Sequence, residues 1–208
     1  MPRGRRERDF YETGAKAVRA LLAHVDWLGL GDGSTLPLGR YRVFEPCAGR
    51  NAITKPLRAA GLYVVTGDLV EPTGVRHDVV GDARYDDAWR AAGKVDPFAP
   101  NDWTVTNPPF SDAYAILLNA WRHSQVGVAF LLRLSFLEPT RERGQFLAEN
   151  PPSDLIVLPR YSFTGDGSTD SVTCAWMVWY PRRLPAHRTH RIVIASDVVG
   201  RPLLDRQE

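Results

Sequence analysis

Hydrophobic positions along the chain come in short blocks whose spacing switches repeatedly between two periods. Residues 40–44, 62–65, 77–80, 102–106, 155–158 and 173–179 are brief runs carrying Val, Leu, Ile, Trp and Thr, the pattern of buried strands. Residues 127–134 are almost uninterruptedly apolar, as expected in the middle of a parallel sheet covered on both faces. Between these runs apolar side chains recur three and four positions apart. Ala15, Val18, Leu21 and Leu22 give a first helix with Thr13 as its N-cap, and residues 52–60, 83–92 and 114–124 give three more. Gly61 suits the C-terminal cap of the second helix, residues 136–150 are mixed and mostly helical, and residues 192–195 read as an edge strand. Strands alternating with helices predict an α/β fold, here in a single domain without internal repeats.

Composition narrows this picture only modestly. At 208 residues, with 44% hydrophobic and 24% charged side chains, the chain can bury a substantial core and has the make-up of a soluble globular protein. No apolar run reaches the length of a membrane span, and the arginine-rich start lacks the apolar segment of a secretory signal. Cys47 and Cys174 lie far apart without metal-ligand spacing, which argues against zinc and for a reducing compartment. The formal net charge of +2 does not by itself demand a nucleic-acid partner. Arginines do crowd residues 1–9 and 182–191, as phosphate contacts or as plain solvated faces.

Two stretches carry candidate chemistry. The strand at 102–106 runs into Asn107-Pro108-Pro109-Phe110, where two prolines enforce a rigid extended corner. In open α/β sheets ligands bind at such carboxyl ends. The amide and carbonyl oxygens there suit an exocyclic amino group, and the Phe110 ring suits the face of a planar base. A simple turn after a strand reads equally well from these residues alone. The second stretch, Glu45-Pro46-Cys47-Ala48-Gly49-Arg50-Asn51, follows the first strand and is followed by helix, strand and Asp68. Small residues let backbone approach a ligand, and a carboxylate about 20 residues on accepts from ribose hydroxyls. The dinucleotide pattern G-x-G-x-x-G is absent, and a carboxylate at Glu45 repels a pyrophosphate, so an NAD-type oxidoreductase is disfavoured. A tight glycine turn with no ligand is the plain alternative.

With the Glu45-Pro46 loop, Asp68, Asp82 and the Asn-Pro-Pro-Phe corner in this order, the chain resembles the S-adenosylmethionine-dependent N6-adenine DNA methyltransferases, from Phe10 to Pro181. Glutamine and guanine-N2 methyltransferases share the Asn-Pro-Pro-aromatic motif, so the combination is more specific for amino methylation than for the substrate. The resemblance implies a Rossmann-like class I methyltransferase fold, a mostly parallel seven-stranded sheet with helices on both faces. It implies one catalytic domain over residues 1–208, with a basic arm at 1–9, a C-terminal extension at 182–208 and no separate target-recognition domain. It further implies S-adenosylmethionine as cofactor and no metal. Phe10, Tyr11 and Thr13 match the motif cradling the methionine end, although Glu12 and Gly14 stand where prolines are frequent. Glu45, Pro46, Ala48 and Gly49 match the cofactor loop, with Asn51 where a further glycine is common. Asp68 matches the ribose acid, and Asp82 the acid for the cofactor's adenine amino group. Asn107, Pro108, Pro109 and Phe110 match the catalytic corner, Asn107 also bordering the cofactor, while Phe136 and Phe163 fall where relatives line the base pocket.

The implied partner is DNA, or RNA, with a flipped or unpaired adenine, in the cytoplasm of a bacterial or phage-infected cell and away from membranes. Short connections after the corner leave target choice to small loops such as 165–171, to a homodimer or specificity partner, or to single strands. An RNA base or a protein glutamine is the rival substrate. A non-catalytic module that binds cofactor or nucleic acid is the rival of another class.

Overall fold

A computed structural model of the chain describes residues 13–27, 41–96, 101–159, 172–182 and 190–195. In order these give α1 (Ala15–His24), β1 (Arg42–Glu45), α2 (Thr54–Ala59), β2 (Tyr63–Asp68), β3 (Val79–Val80), α3 (Asp86–Val95), β4 (Trp103–Thr106), α4 (Ala113–His123), β5 (Gly127–Arg133), α5 (Gly144–Glu149), β6 (Asp154–Val157), β7 (Cys174–Trp179) and β8 (Arg191–Ile194). They build one sheet in the order β3-β2-β1-β4-β5-β7-β6-β8. β1 to β5 pair in parallel, β7 is antiparallel to both its neighbours, and β8 pairs in parallel with β6. The described sheet thus has eight strands rather than seven. The eighth is the expected edge strand, so part of the supposed C-terminal extension belongs to the sheet.

Strand side chains alternate between two cores. Val43, Val105, Ala129, Leu131, Trp176 and Val178 face α1 and α2, whereas Phe44, Val128, Phe130, Leu132, Met177 and Trp179 face α3, α4 and α5. Cover on both faces explains why β5 reads as a continuous apolar run. Gly127 begins β5 because nothing larger fits: a Cβ there would lie 2.2 Å from Cζ3 of the fully buried Trp103. Gly127→Ala is expected to destabilise the protein by about 3 kcal/mol or more, since the enclosed Trp103 ring has no free space to move into. Thermal melts should show a loss on the order of 10 °C.

Three expectations shift on folding. The pattern at 77–80 predicts a full strand, yet β3 is only two residues long. Asp78 turns its carboxylate onto the backbone N–H and hydroxyl of Thr66 at 2.8 and 2.9 Å, so a side chain replaces a rung of the ladder. Helix α1 starts at Ala15 with Gly14 in the cap position, and Thr13 does not cap it. Residues 136–150 divide into a short 3-10 turn, Leu134–Leu137, and the two-turn α5. No helix among the described residues is long and apolar enough to cross a membrane.

At the edge opposite the carboxyl ends of the parallel strands, Asp154 accepts from Tyr180 Oη at 3.0 Å and from Arg191 Nε at 2.6 Å. Arg191 also donates to the His24 carbonyl, so this network ties β8 to β6, β7 and α1.

Candidate active site

Because β1 to β5 run parallel, the residues following them meet at one edge. β1 lies between β2 and β4. Chain order reverses between β1 and β4, which opens a crevice at their carboxyl ends. Glu45 ends β1 on one side of it and Asn107 follows β4 on the other.

The loop after β1 is tied to the end of β2. Ala48 N–H donates to the Gly67 carbonyl at 2.9 Å, and Gly49 N–H donates to Asp68 Oδ2 at 2.8 Å. Asp68 is buried. Two residues of the loop have left-handed backbone, Gly49 at φ 51° and Asn51 at φ 63°. Asparagine is among the few side chains that tolerate this region, so the turn forms without a glycine at that position. Its Oδ1 is buried and has no hydrogen-bond partner among the described residues. Asn51→Gly is expected to preserve the fold and lower cofactor affinity through loss of that acceptor. Asn51→Val, which also strains the backbone, should lower both affinity and melting temperature, as calorimetric titration and thermal melts can check.

Glu45 is buried beneath this loop and accepts a hydrogen bond from the Thr54 hydroxyl. Burial pushes its carboxyl up to about 8, opposed by the hydrogen bonds from Thr54 and reinforced by the nearby Asp68 charge. At neutral pH it is therefore mostly protonated, so repulsion of a pyrophosphate rests less on Glu45 than its sequence position suggests. Leu69 and Val70, directly after Asp68, are 48% and 53% exposed, an apolar surface beside the loop that the sequence pattern does not single out.

Asn107 donates from Nδ2 to Thr13 Oγ1 at 3.1 Å, joining the segment before α1 to the corner after β4. That bond explains why Thr13 is buried without capping its helix. Pro108 is buried, and the turn is closed by Asp112 N–H donating to the Pro109 carbonyl at 3.0 Å, leading into α4. Thr106, just before Asn107, has a buried hydroxyl without a partner among the described residues. Phe110 is half-buried against the second core, and the Arg133 guanidinium at the end of β5 lies 4.5 Å from its ring centroid.

Asp82 reaches the same edge but is engaged. Arg84 Nε donates to both its oxygens and Arg84 Nη2 contacts Oδ2 at 2.6 Å, which holds the Asp82 carboxyl below its usual range. Arg84 also approaches Asp112 at 3.6 Å, linking the exit of β3 to the far end of the corner. Phe136 is buried, with the Arg143 guanidinium 5.0 Å from its ring centroid. A core role suits it better than a base pocket. Phe10, Tyr11, Phe163 and the loop 165–171 lie outside the described residues.

The structure thus brings together Thr13, Glu45, Ala48, Gly49, Asp68 and the Asn107–Phe110 corner. It adds Thr54, Arg84 and Arg133. Of these Arg133 carried a readable signal, a cation closing an apolar strand at a ligand-binding edge.

The sequence matches no protein-family model, and no curated protein is significantly similar to it. Solved structures are similar in fold. A Listeria monocytogenes protein assigned as a class I S-adenosylmethionine-dependent methyltransferase is 9% identical with a TM-score of 0.53, covering 93% of this chain and 67% of its own. The ATP-dependent Type ISP restriction-modification enzyme LlaBIII, solved bound to DNA, is 12% identical with a TM-score of 0.56, covering 86% of this chain and 19% of its own. A type I restriction-modification methyltransferase subunit from Streptococcus thermophilus is 14% identical with a TM-score of 0.53, covering 84% of this chain and 45% of its own. The chain therefore spans less than half of either restriction-modification protein. Its fold is the Rossmann-like class I methyltransferase fold.

Proposed function

We propose that the chain transfers a methyl group from S-adenosylmethionine to the N6 amino group of adenine in DNA. The observation that carries this reading is the Asn107 amide, anchored on Thr13 across the crevice from the loop held by Asp68. The site fits a ligand bearing positive charge and hydroxyl groups. Glu45 and Asp68 are buried acids, and Asn51 Oδ1 is an acceptor awaiting a donor. Asp68 would take the ribose hydroxyls, the 48–51 backbone would border the methionine portion, and Glu45 would face positive charge. When bound, the cofactor supplies an already activated methyl group on sulfonium.

The chain's own residues then act on the nucleophile, whose amino lone pair is delocalised into the ring. Asn107 donates to Thr13 from its nitrogen, so the other end of the amide is the acceptor. Acceptance of the two amino N–H bonds by Asn107 Oδ1 and the Pro108 carbonyl favours a tetrahedral nitrogen with a localised lone pair. Positive charge developing on that nitrogen is stabilised by the same dipoles. Phe110 restricts the orientation of the base. No strong base is needed beforehand, since the methylated ammonium is acidic and loses its proton to water. Within a duplex the adenine must leave the stack to reach the corner.

The restriction-modification neighbours favour DNA over other amino substrates. The test is transfer of labelled methyl to duplex DNA, single-stranded DNA, structured RNA and a glutamine peptide, followed by nucleoside mass spectrometry. N6-methyladenine in DNA is the expected product. A product in RNA or peptide alone would reassign the substrate, and cofactor binding without any product would favour a non-catalytic module.

A further inference from the structure

We infer that Arg133 binds a phosphodiester of the substrate strand beside the base presented at Asn107. The inference rests on the proposed nucleic-acid substrate and adds a contact that the resemblance does not assign.

Arg133 closes β5, whose preceding six residues are fully buried. The register pairs Thr106 with Phe130, so β5 continues beside the corner after β4 has ended. From there the guanidinium lies over the Phe110 ring. Its Nε is buried without a hydrogen-bond partner, and no ion pair among the described residues includes it. Three other arginines of the sheet and its connections are spent on the protein itself. Arg84 grips Asp82, Arg143 donates to the carbonyls of Ser135 and Phe136, and Arg191 holds Asp154. The contact with Phe110 holds the guanidinium at the corner, and its Nη donors are left to an external acceptor. A planar fork of N–H donors with a fixed positive charge matches phosphate oxygens.

Position separates substrate phosphate from cofactor carboxylate. In the order β1-β4-β5, Arg133 stands two strands from the loop that follows β1, on the far side of the corner. At about 4.8 Å per strand, roughly 10 Å of sheet lies between them. An anion on the β5 side of Asn107 belongs to the strand that delivers the base.

The test uses the full chain as wild type, Arg133→Gln and Arg133→Lys, with Arg133→Met if the Gln variant melts early. Binding of a fluorescein-labelled DNA oligonucleotide is followed by anisotropy between about 50 and 200 mM salt. Neutralising the charge is expected to reduce the slope of log affinity against log salt by about 1 and to weaken binding at low salt about tenfold. The Lys variant should retain the slope, and cofactor affinity by calorimetry should not change. An unaltered slope in the neutral variants, or loss of cofactor affinity in step with DNA affinity, overturns the assignment. Wild-type protein that binds no nucleic acid would instead remove the substrate reading on which it stands.

Discussion

Asn107→Ala is expected to lower the turnover of base methylation by about 10³-fold or more, with cofactor affinity largely unchanged. The amide sits where β4 ends, and its nitrogen is already committed to Thr13 at 3.1 Å. In the proposed reaction, truncation removes the acceptor for the reacting amino group, and that acceptor matters most when positive charge appears on nitrogen. The ground state loses less than the transition state, so the effect falls on kcat rather than on binding. Thr13→Val should act in the same direction but more weakly, because it frees the amide to rotate without deleting it. Asn107→Asp keeps an acceptor oxygen but gives up the N–H that Thr13 receives, so it is expected to recover only part of the activity. Single-turnover transfer with saturating cofactor separates these cases. If Asn107→Ala abolished cofactor binding together with transfer, the amide would belong mainly to the cofactor site, and the division of roles between corner and loop would fail.

The parts legible in the sequence are those in which local pattern and tertiary environment agree. β5 and β7 are buried on both faces, and their apolar runs say so directly. The crevice was legible because proline restricts and glycine widens backbone choices wherever they occur: Pro108 and Pro109 forbid continuation of β4, and Gly49 allows the left-handed turn. What escaped depends on side chains remote in sequence. The role of Thr13 required knowing that a residue 94 positions away would claim its hydroxyl. The short β3 depends on Asp78 competing for Thr66, which hydrophobic periodicity does not register. Asp82 follows β3 at the carboxyl edge, and its pairing with Arg84 two residues later hides behind an ordinary pair of nearby charges. Arg133 takes its meaning from the Phe110 ring on the neighbouring strand's exit, a contact set by sheet order rather than by local sequence.

Glu45 should make both stability and cofactor binding depend on pH, and Glu45→Gln should remove both dependences. Burial at the end of β1 pushes its carboxyl from 4.5 to about 8 in the folded protein. The folded chain therefore holds a proton that the unfolded chain has already released over that interval. The stability this proton confers is fully present below pH 4.5 and is lost as pH rises through about 8. Each tenfold gain in proton affinity on folding is worth about 1.4 kcal/mol, so the effect amounts to a few kcal/mol. Melts of the free protein should fall relative to the Gln variant by roughly 10 °C across this range. A ligand that brings positive charge toward Glu45 reverses the preference, because the ionised carboxylate then gains a partner. Binding of S-adenosylmethionine at pH 7 is expected to release close to one proton, measurable by calorimetry in buffers of different ionisation enthalpy. Affinity should rise with pH up to about 8 and then level, while the Gln variant binds more weakly and without pH dependence. Parallel melting curves for the two proteins would show that the buried carboxyl does not titrate in this window. Proton release retained in Glu45→Gln would assign it to another group.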